Sequence, residues 1–533
     1  MAEVRLRSAH AADGGLSWVA DVLSSYRGDG RPAHIYLRGD GPSLAFTRGE
    51  LREQVARQAG ALAGRGVSAG DHVGLLAGEA DEFLPAFLAL LWLGAVAVPL
   101  PPPSSLGRRD AWRAGLEASL AKVRPGLLCG PAATLGQLAA GTPAVAVEEL
   151  PGGPPHPAPV RLPPDAPAYL QFTSGSTGRP RAVRVTRGSL AANCAAIGAG
   201  IALDPDRDVG VSWLPLHHDM GLVGFGCAAL TAGVPVVFMP TAMFLRDPGV
   251  WMRTVSAHAG TVTFGPSFAY SLAARRARPG EVAHLDLSCM RVLGCGAEPI
   301  NAAAVSRFLA AYAPAGLDPA ALAPAYGLAE ATLAVSFASG LRADAAGAVD
   351  CGRPVPGHEV AVVGAAGGLR ASGEAGEVWV RGPSVAAGYL GEPAPDVFRR
   401  DGWLRTGDLG YLDEGGNLYI TGRAKDVLVV RGVSIDPHRV EWAAATVPGV
   451  REGGVVAFTR PGPETEEVVV VAECASRALH SLPEAVRVAV AGSVGLAVAD
   501  VAGVPAGTIP KTTSGKPRRQ ETRRRYLAGE LGR

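Results

Sequence analysis

Short runs of valine, isoleucine and leucine alternate with alanine-rich segments that carry scattered arginine and glutamate, and this alternation strongly limits the possible folds. Residues 72–76 have the pattern of a buried strand, residues 82–93 that of a helix, and residues 95–100 that of a second strand. Strands that alternate with helices usually pair in parallel, because the helix carries the chain back across the sheet. The sequence therefore predicts an α/β fold with largely parallel sheets.

The pattern changes near residue 413, and this change predicts a second domain. A polar turn is followed by a strand at residues 427–430, a helix at 437–445 and a β-rich run at 467–472. A chain of 533 residues, 48% of them hydrophobic, also exceeds what one core normally supports. We expect a domain junction at residues 422–426.

The composition excludes several classes of protein. A net charge of +1 with 19% charged residues gives no basic surface for nucleic acid. The seven scattered cysteines are not spaced as zinc ligands and indicate a reducing compartment.

No apolar segment follows the first charges, so we expect no signal peptide and a cytoplasmic location. Proline and glycine interrupt the apolar residues 83–100, which favours a buried helix and strand over membrane insertion. The oligomeric state is not indicated.

Lysine is rare in this chain, with four residues among 50 lysines and arginines. Lys425, Lys511 and Lys516 lie in polar C-terminal motifs, whereas Lys122 lies far from them. A compact ammonium on a flexible stem reaches a single buried oxygen that a planar guanidinium does not fit. The C-terminal motifs are therefore predicted to take part in chemistry, and retention on exposed loops is the alternative.

A loop rich in serine, threonine and glycine occupies residues 173–181, directly after a predicted strand at 169–172. Gly175 and Gly178 permit tight turns that offer backbone N–H groups, and the hydroxyl side chains can orient phosphate oxygens. The loop is not a Walker motif, because no Gly-Lys-Ser/Thr follows at the required spacing. The pattern predicts an anion-binding loop, with a plain linker as the alternative.

Four further motifs follow this loop in the order found in the adenylate-forming superfamily, which includes acyl-CoA synthetases, peptide-synthetase adenylation domains and luciferases. They are Tyr-Gly-Leu-Ala-Glu at 326–330, Trp-Leu-Arg-Thr-Gly-Asp at 403–408, Thr-Gly-Arg-Ala-Lys-Asp at 421–426 and Pro-Lys-Thr-Thr-Ser-Gly-Lys at 510–516. The resemblance spans about residues 30–525. Residues 212–221, 239–246, 285–288, 296–299 and 329–336 most resemble the fatty-acyl-AMP ligases.

The resemblance implies the domain organisation and the reaction. It implies a large N-terminal domain of several subdomains at residues 1–422, a hinge at 423–426 and a small mobile α+β domain at 427–533. It also implies ATP- and Mg²⁺-dependent activation of a hydrophobic carboxylic acid to an acyl adenylate, with release of pyrophosphate. The acyl group would then pass to an acyl carrier protein, in fatty acid metabolism or in lipid or antibiotic biosynthesis.

Two alternatives to this function stay open. Residues 338–351 are too few for the extra segment of many fatty-acyl-AMP ligases, so refusal of coenzyme A is not implied and a complete acyl-CoA synthetase is one alternative. A catalytically silent, nucleotide-binding regulatory paralogue is the other.

The resemblance also implies the roles of individual residues. The catalytic residues are Lys516, Glu330 and His218, and the metal-side residues are Glu330 and Thr177. The nucleotide-binding residues are Thr173, Ser174, Gly175, Ser176, Thr177, Gly178, Arg181, Gly296, Ala297, Glu298, Ala325, Tyr326, Gly327, Asp408 and Arg423. The acyl-binding residues are His217, Met220, Gly221, Phe268 and Ala269, and the hinge residue is Lys425. Arg181 stands where the family usually has lysine.

Each of these roles has a structural alternative when its residue is considered singly. Tyr326 could be ordinary core, Glu330 a surface acid and Asp408 a turn former, and the histidine pair could be a satisfied polar turn. Residues 517–526 contain five arginines, which could form either a solvent-facing helix or a surface that steers an acidic partner.

Overall fold

The computed structural model describes residues 6–7, 18–39, 41–76, 78–103, 109–138, 141–173, 180–430, 433–462, 466–475, 482–512 and 516–531. Its largest sheet has nine strands, with a parallel centre and antiparallel edges. In spatial order these strands are Arg353–Pro354, Ala334–Phe337, Leu322–Gly327, Val292–Cys295, Val262–Gly265, Gly210–Ser212, Val236–Phe238, Pro32–Arg38 and Gly41–Thr47.

A second sheet has six strands and ends in one antiparallel pair. Its strands are Ala144–Ala146, Leu127–Gly130, His72–Leu75, Val96–Pro99, Pro167–Thr173 and Arg181–Thr186. A third, antiparallel sheet consists of Leu6–Arg7, Glu359–Val363, Gly376–Arg381, Leu404–Leu412 and Leu418–Arg423. The predicted α/β class with mostly parallel large sheets is confirmed.

Helices pack on the large sheets. The α-helices of this part are Trp18–Ser25, Arg48–Ala63, Ala80–Leu93, Arg109–Val123, Ala132–Leu135, Arg187–Gly200, Ala229–Ala232, Thr241–Arg246, Val250–Ala257, Ser267–Arg276, Pro279–Val282 and Ala302–Tyr312. A π-helix spans Met220–Ala228, and 3₁₀ turns span Val147–Gly152, Ala313–Ala315, Pro319–Ala321 and Ala329–Ala331. Capping boxes fix two helix starts, at Thr47 with Glu50 and at Thr186 with Ser189.

The apolar helix Ala80–Leu93 is buried on every side from Phe83 onward, which explains why its sequence lacks a polar face. Pro85 lies near its start, where a missing backbone N–H costs little. Across the described ranges, no helix is both long and apolar enough to cross a membrane.

The C-terminal residues form separate elements with their own core. The strands are Leu428–Val430 with Val433–Ile435, and Val450–Pro461, Glu466–Cys474 and Asp500–Val504. The helices are Pro437–Ala445, Leu482–Val494 and Arg519–Leu527. Their buried side chains form two clusters, distinct from the main N-terminal cluster that ends at Leu418. Residues 423–427 therefore connect two independently cored parts.

Candidate active site

A cavity of about 4290 Å³ lies at the carboxyl ends of the central parallel strands and extends beneath the C-terminal part. Segments that follow three neighbouring strands line it, at Pro266, Gly296 and Leu328. Ligands of open α/β sheets bind at this edge, where the loops after successive strands converge. Nearly all the described residues that the sequence assigned to a site lie on this cavity wall.

Tyr326, Asp408 and Arg423 form one connected group on the wall. The Tyr326 hydroxyl donates to Oδ2 of Asp408 at 2.6 Å, and Nε of Arg423 donates to Oδ1 at 2.7 Å. The Asp408 charge is the main cause that raises the pKa of Arg423 above its ordinary value. Each carboxylate oxygen has two acceptor positions, so Asp408 retains the capacity for two further donors.

Lys516 enters the cavity from the C-terminal part. Its ammonium donates to the backbone oxygen of Ala297, a residue held at a φ of 68°. Thr512 fixes the lysine from both sides of its backbone, since its N–H donates to the Lys516 carbonyl at 2.7 Å and its Oγ1 accepts from the Lys516 N–H at 3.1 Å. Burial lowers the pKa of Lys516, and the carboxylates of Glu298 and Asp219 oppose that effect. By surface area the Lys516 side chain is exposed, so its ammonium is a partly desolvated cation with two carboxylates nearby.

Glu298 links the nucleotide wall to the helix Ser267–Arg276. Its Oε1 accepts the Phe268 N–H at 2.8 Å. This N–H lies in the first turn of the helix, where backbone N–H groups have no acceptor within the helix itself. Burial raises the pKa of Glu298, and Lys516 is the main opposing charge. Gly296, Ala325 and Gly327 also lie on the cavity wall.

Glu330 lies on the 3₁₀ turn Ala329–Ala331, half-buried at the cavity. The Tyr389 hydroxyl donates to its Oε1 at 2.8 Å, and its backbone oxygen accepts the Ala386 N–H at 2.9 Å. Thr332 has a φ of 69°, and its buried hydroxyl donates to the Ser384 backbone oxygen at 2.7 Å. A strained threonine at this turn is consistent with a functional constraint. The described residues contain no cluster of three or more histidine, cysteine or acidic side chains that could hold a metal ion.

The anion-binding loop is flanked by paired strands. Thr173 ends one strand and pairs with Arg181, the first residue of the next, and both line the cavity. The predicted contacts of Ser174, Gly175, Ser176, Thr177 and Gly178 lie outside the described residues. The guanidinium carbon of Arg181 is 5.0 Å from the centre of the Tyr389 ring. The hydroxyl of the same tyrosine donates to the Glu330 carboxylate.

A histidine pair lies at the start of the predicted acyl site. The rings of His217 and His218 are 4.4 Å apart, and Gln171 donates to the His217 backbone oxygen at 3.0 Å. Burial, with a contribution from His218, keeps the pKa of His217 well below its ordinary value, so its ring is neutral at pH 7. A Cβ on Gly221 would lie 2.5 Å from the Pro215 backbone oxygen, which explains the glycine after Met220.

Part of the cavity wall is apolar, where the Phe264 ring lies 6.3 Å from that of Phe225 and 6.1 Å from that of Phe337, and we call this part the apolar extension. Met220, Phe225, Phe264, Phe337, Ile197, Ile201 and Leu203 line it. Phe268 lines the cavity, but Ala269 does not: its side chain is fully buried on the core side of its helix. The prediction that Ala269 lines the acyl site is therefore wrong, because one residue along a helix turns the side chain by about 100°.

Several cavity residues were not assigned from the sequence. Asp219 lies within the motif at residues 212–221 but has no role assigned from it, and Tyr389, Phe264, Phe337 and Ile201 lie outside the motifs. The Asp219 side chain caps its neighbour by accepting the Met220 N–H at 2.8 Å, and burial raises its pKa. Only their position in the fold brings these side chains to the cavity.

A polar, cation-bearing cavity joined to an apolar extension, at the strand ends of an α/β fold, defines an enzyme site for a charged ligand with an apolar part. Comparison with known proteins identifies the family. Residues 25–390 match the AMP-binding enzyme family. Since this match spans more than half of the chain, the protein belongs to that family of ATP-using enzymes.

Relatives and solved structures agree with this assignment. A Caulobacter vibrioides protein named for acyl-CoA synthetase activity is 35% identical over 92% of this chain and 91% of its own. A long-chain-fatty-acid–AMP ligase of Mycobacterium marinum is 34% identical over 87% of this chain and 88% of its own. A structure from a study of fatty acyl-adenylate ligases of E. coli and L. pneumophila is 32% identical with a TM-score of 0.88, over 97% of this chain and 98% of that one.

Proposed function

We propose that the protein uses ATP to convert a hydrophobic carboxylic acid to its acyl adenylate, with release of pyrophosphate, and then transfers the acyl group to a carrier protein. One observation carries the proposal: the Lys516 ammonium is bonded to the Ala297 backbone oxygen in the cavity, within reach of the charges of Asp408, which bonds to Tyr326, and of Asp219, which adjoins Met220. A cation in this place can contact both the nucleotide and the acid.

In this proposal AMP lies against Tyr326, between its ring and the backbone of residues 296–298. Asp408 accepts hydrogen bonds from the two ribose hydroxyls with the acceptor positions that Tyr326 and Arg423 leave open. Thr173 and Arg181 flank the triphosphate, and the remaining phosphate contacts come from residues 174–178. The acyl chain occupies the apolar extension, with His218 at its entrance.

Glu330 fits the role of a magnesium-side residue. It is a hard oxygen donor on the cavity wall, and the Tyr389 hydroxyl holds its Oε1 in place. Mg²⁺ is commonly bound by one or two carboxylates together with substrate phosphates, so a larger cluster of protein ligands is not needed. When bound, the ion would neutralise phosphate charge during transfer.

The chemical step joins two anions, so charge dominates its barrier. A carboxylate oxygen of the acid forms a bond to the α-phosphorus, the bond to the β-phosphate oxygen breaks, and its electron pair leaves with pyrophosphate. The Lys516 ammonium stabilises the charge on the α-phosphate as the acid approaches. The charges of Glu298 and Asp219 oppose the effect of desolvation on this ammonium and favour its charged form.

We place the hinge of the second step at residues 423–426, with Lys425 as the hinge residue. Lys516 must leave Ala297 before an acceptor reaches the acyl adenylate, and residues 423–427 connect the two separate cores. The C-terminal arginines do not form a free basic surface, since Arg524 and Arg525 pair with Glu521 and Glu530. We therefore do not assign acceptor steering to them.

The acceptor can be tested directly with the wild-type enzyme. ATP, Mg²⁺ and a long apolar acid are supplied with either coenzyme A or an acyl carrier protein that bears its phosphopantetheine arm. We expect pyrophosphate release with the acid alone and acyl transfer mainly to the carrier protein. Efficient formation of acyl-CoA would show that coenzyme A is the acceptor. If no pyrophosphate is released with any acid, a silent nucleotide-binding paralogue would be favoured.

A further inference from the structure

Lys122 is the one lysine outside the C-terminal motifs, yet it lies beside the phosphate-binding loop. It is on the helix Arg109–Val123, and its side chain is only 20% exposed. Its ammonium donates to the backbone oxygen of Pro180 at 3.2 Å and to the Glu392 carboxylate. Pro180 immediately precedes Arg181, so Lys122 holds the chain where it leaves the loop.

The fold fixes Glu392 at this place through a segment that pairs with the strand Arg181–Thr186. The Leu390 N–H donates to the Ala182 oxygen at 2.8 Å, and the Ala387 N–H donates to the Arg184 oxygen at 3.0 Å. This pairing places the Tyr389 ring beneath Arg181 and Glu392 beside it. Nε of Arg181 lies 3.6 Å from Oε2 of Glu392.

Glu392 is thus an anion shared by two cations. The Lys122 hydrogen bond is the main cause that lowers the pKa of Glu392, with smaller contributions from the charges of Lys122 and Arg181. Without Lys122, the Glu392 carboxylate would have Arg181 as its nearest cation. Arg181 would then be drawn into that ion pair and away from the cavity, and the Pro180 carbonyl would lose its donor.

We propose that Lys122 is a positioning residue for the triphosphate of ATP. It anchors the exit of the phosphate-binding loop and neutralises Glu392, which leaves the Arg181 charge for the β- and γ-phosphates. This inference rests on the proposed use of ATP.

The test compares two nucleotides in equilibrium binding to the whole protein. A nonhydrolysable ATP analogue carries the β- and γ-phosphates, and AMP does not. Lys122→Met should weaken binding of the analogue about fivefold, as expected for loss of one partly exposed ion pair and one hydrogen bond, and leave AMP binding unchanged. Arg113→Met, an exposed change on the same helix, is the matched control and should alter neither affinity.

A second variant separates positioning from damage to the fold. In Lys122→Met/Glu392→Gln no carboxylate draws Arg181 away, so binding of the analogue should partly recover. Equal weakening for ATP analogue and AMP, no weakening at all, or a double variant weaker than Lys122→Met would each overturn the inference. If wild-type protein binds the analogue but releases no pyrophosphate with any acid, the proposed reaction fails while the role of Lys122 stands on the binding data. Wild-type protein that binds neither nucleotide would refute both.

Discussion

Glu473 is buried beneath the loop that carries Lys516, and its replacement should slow adenylation selectively. Its side chain is fully buried. Oε1 accepts the N–H groups of Gly507 at 2.9 Å and Ile509 at 3.0 Å, and Oε2 accepts from Arg451 at 3.0 Å. Both amides precede Pro510, whose backbone oxygen accepts the Arg518 N–H at 2.8 Å, so this carboxylate holds one end of the segment that carries Lys516.

The size of the effect follows from these contacts. Glu473→Gln keeps an oxygen for the two N–H groups, but the bonds to a neutral amide are weaker than those to a carboxylate. Arg451 is half-exposed and can be hydrated, so its loss adds little. Together these changes weaken the contacts that position Lys516 by about 2 kcal/mol. If the activation free energy of adenylation rises by this amount, the rate falls about 30-fold. Glu473→Ala also leaves the amides without an acceptor and should cost about 3 to 5 kcal/mol of stability.

The assay measures the two half-reactions separately at saturating ATP. Glu473→Gln should lower the rate of pyrophosphate release and leave acyl transfer from supplied acyl adenylate close to wild type, because we propose that Lys516 acts in the first step and leaves the site before the second. Glu467→Gln on the same strand is the matched control, since Glu467 pairs with Arg460 near the surface. Equal losses in both half-reactions, or no loss in either, would refute the positioning role.

Three further predictions concern Lys516 and Lys425. Lys516→Ala should lower exchange between pyrophosphate and ATP by about 10² to 10³ with little change in substrate binding, and near wild-type exchange would contradict its role. Because burial lowers the pKa of Lys516, the rate of adenylation should decline as pH rises through a value below the ordinary lysine pKa. Lys516→Arg should shift this decline to higher pH, because a guanidinium stays charged over the whole range. An unchanged pH profile would show that another group causes the decline. Lys425→Pro fixes φ at the hinge and should preserve pyrophosphate release while acyl transfer falls, whereas equal loss of both would argue against a hinge there.

Elements with a strong local pattern could be predicted closely from the sequence. The predicted helix at residues 437–445 coincides with Pro437–Ala445, and the β-rich run 467–472 lies within Glu466–Cys474. The strand before the phosphate-binding loop is likewise present as Pro167–Thr173. In each case the side chains buried by the fold recur with the period of the element, so local sequence carries the information.

Contacts between distant segments could not be predicted in this way. Tyr389 lies 59 residues from Glu330 in the chain, and Lys122 lies 270 residues from Glu392. These pairs depend on how strands and helices from different subdomains meet. The terminal arginines show the same limit, since their acidic partners Glu521 and Glu530 turn a basic stretch into paired charges.

The most direct test of acid activation is pyrophosphate release by the wild-type enzyme with ATP, Mg²⁺ and a series of straight-chain acids from acetate to palmitate. Each methylene that enters the apolar extension contributes about 0.8 kcal/mol, so kcat/KM should rise about fourfold per methylene until the cavity is filled. Release should require the acid and should yield acyl adenylate in equal amount. An enzyme that binds ATP but releases no pyrophosphate with any acid would contradict the account.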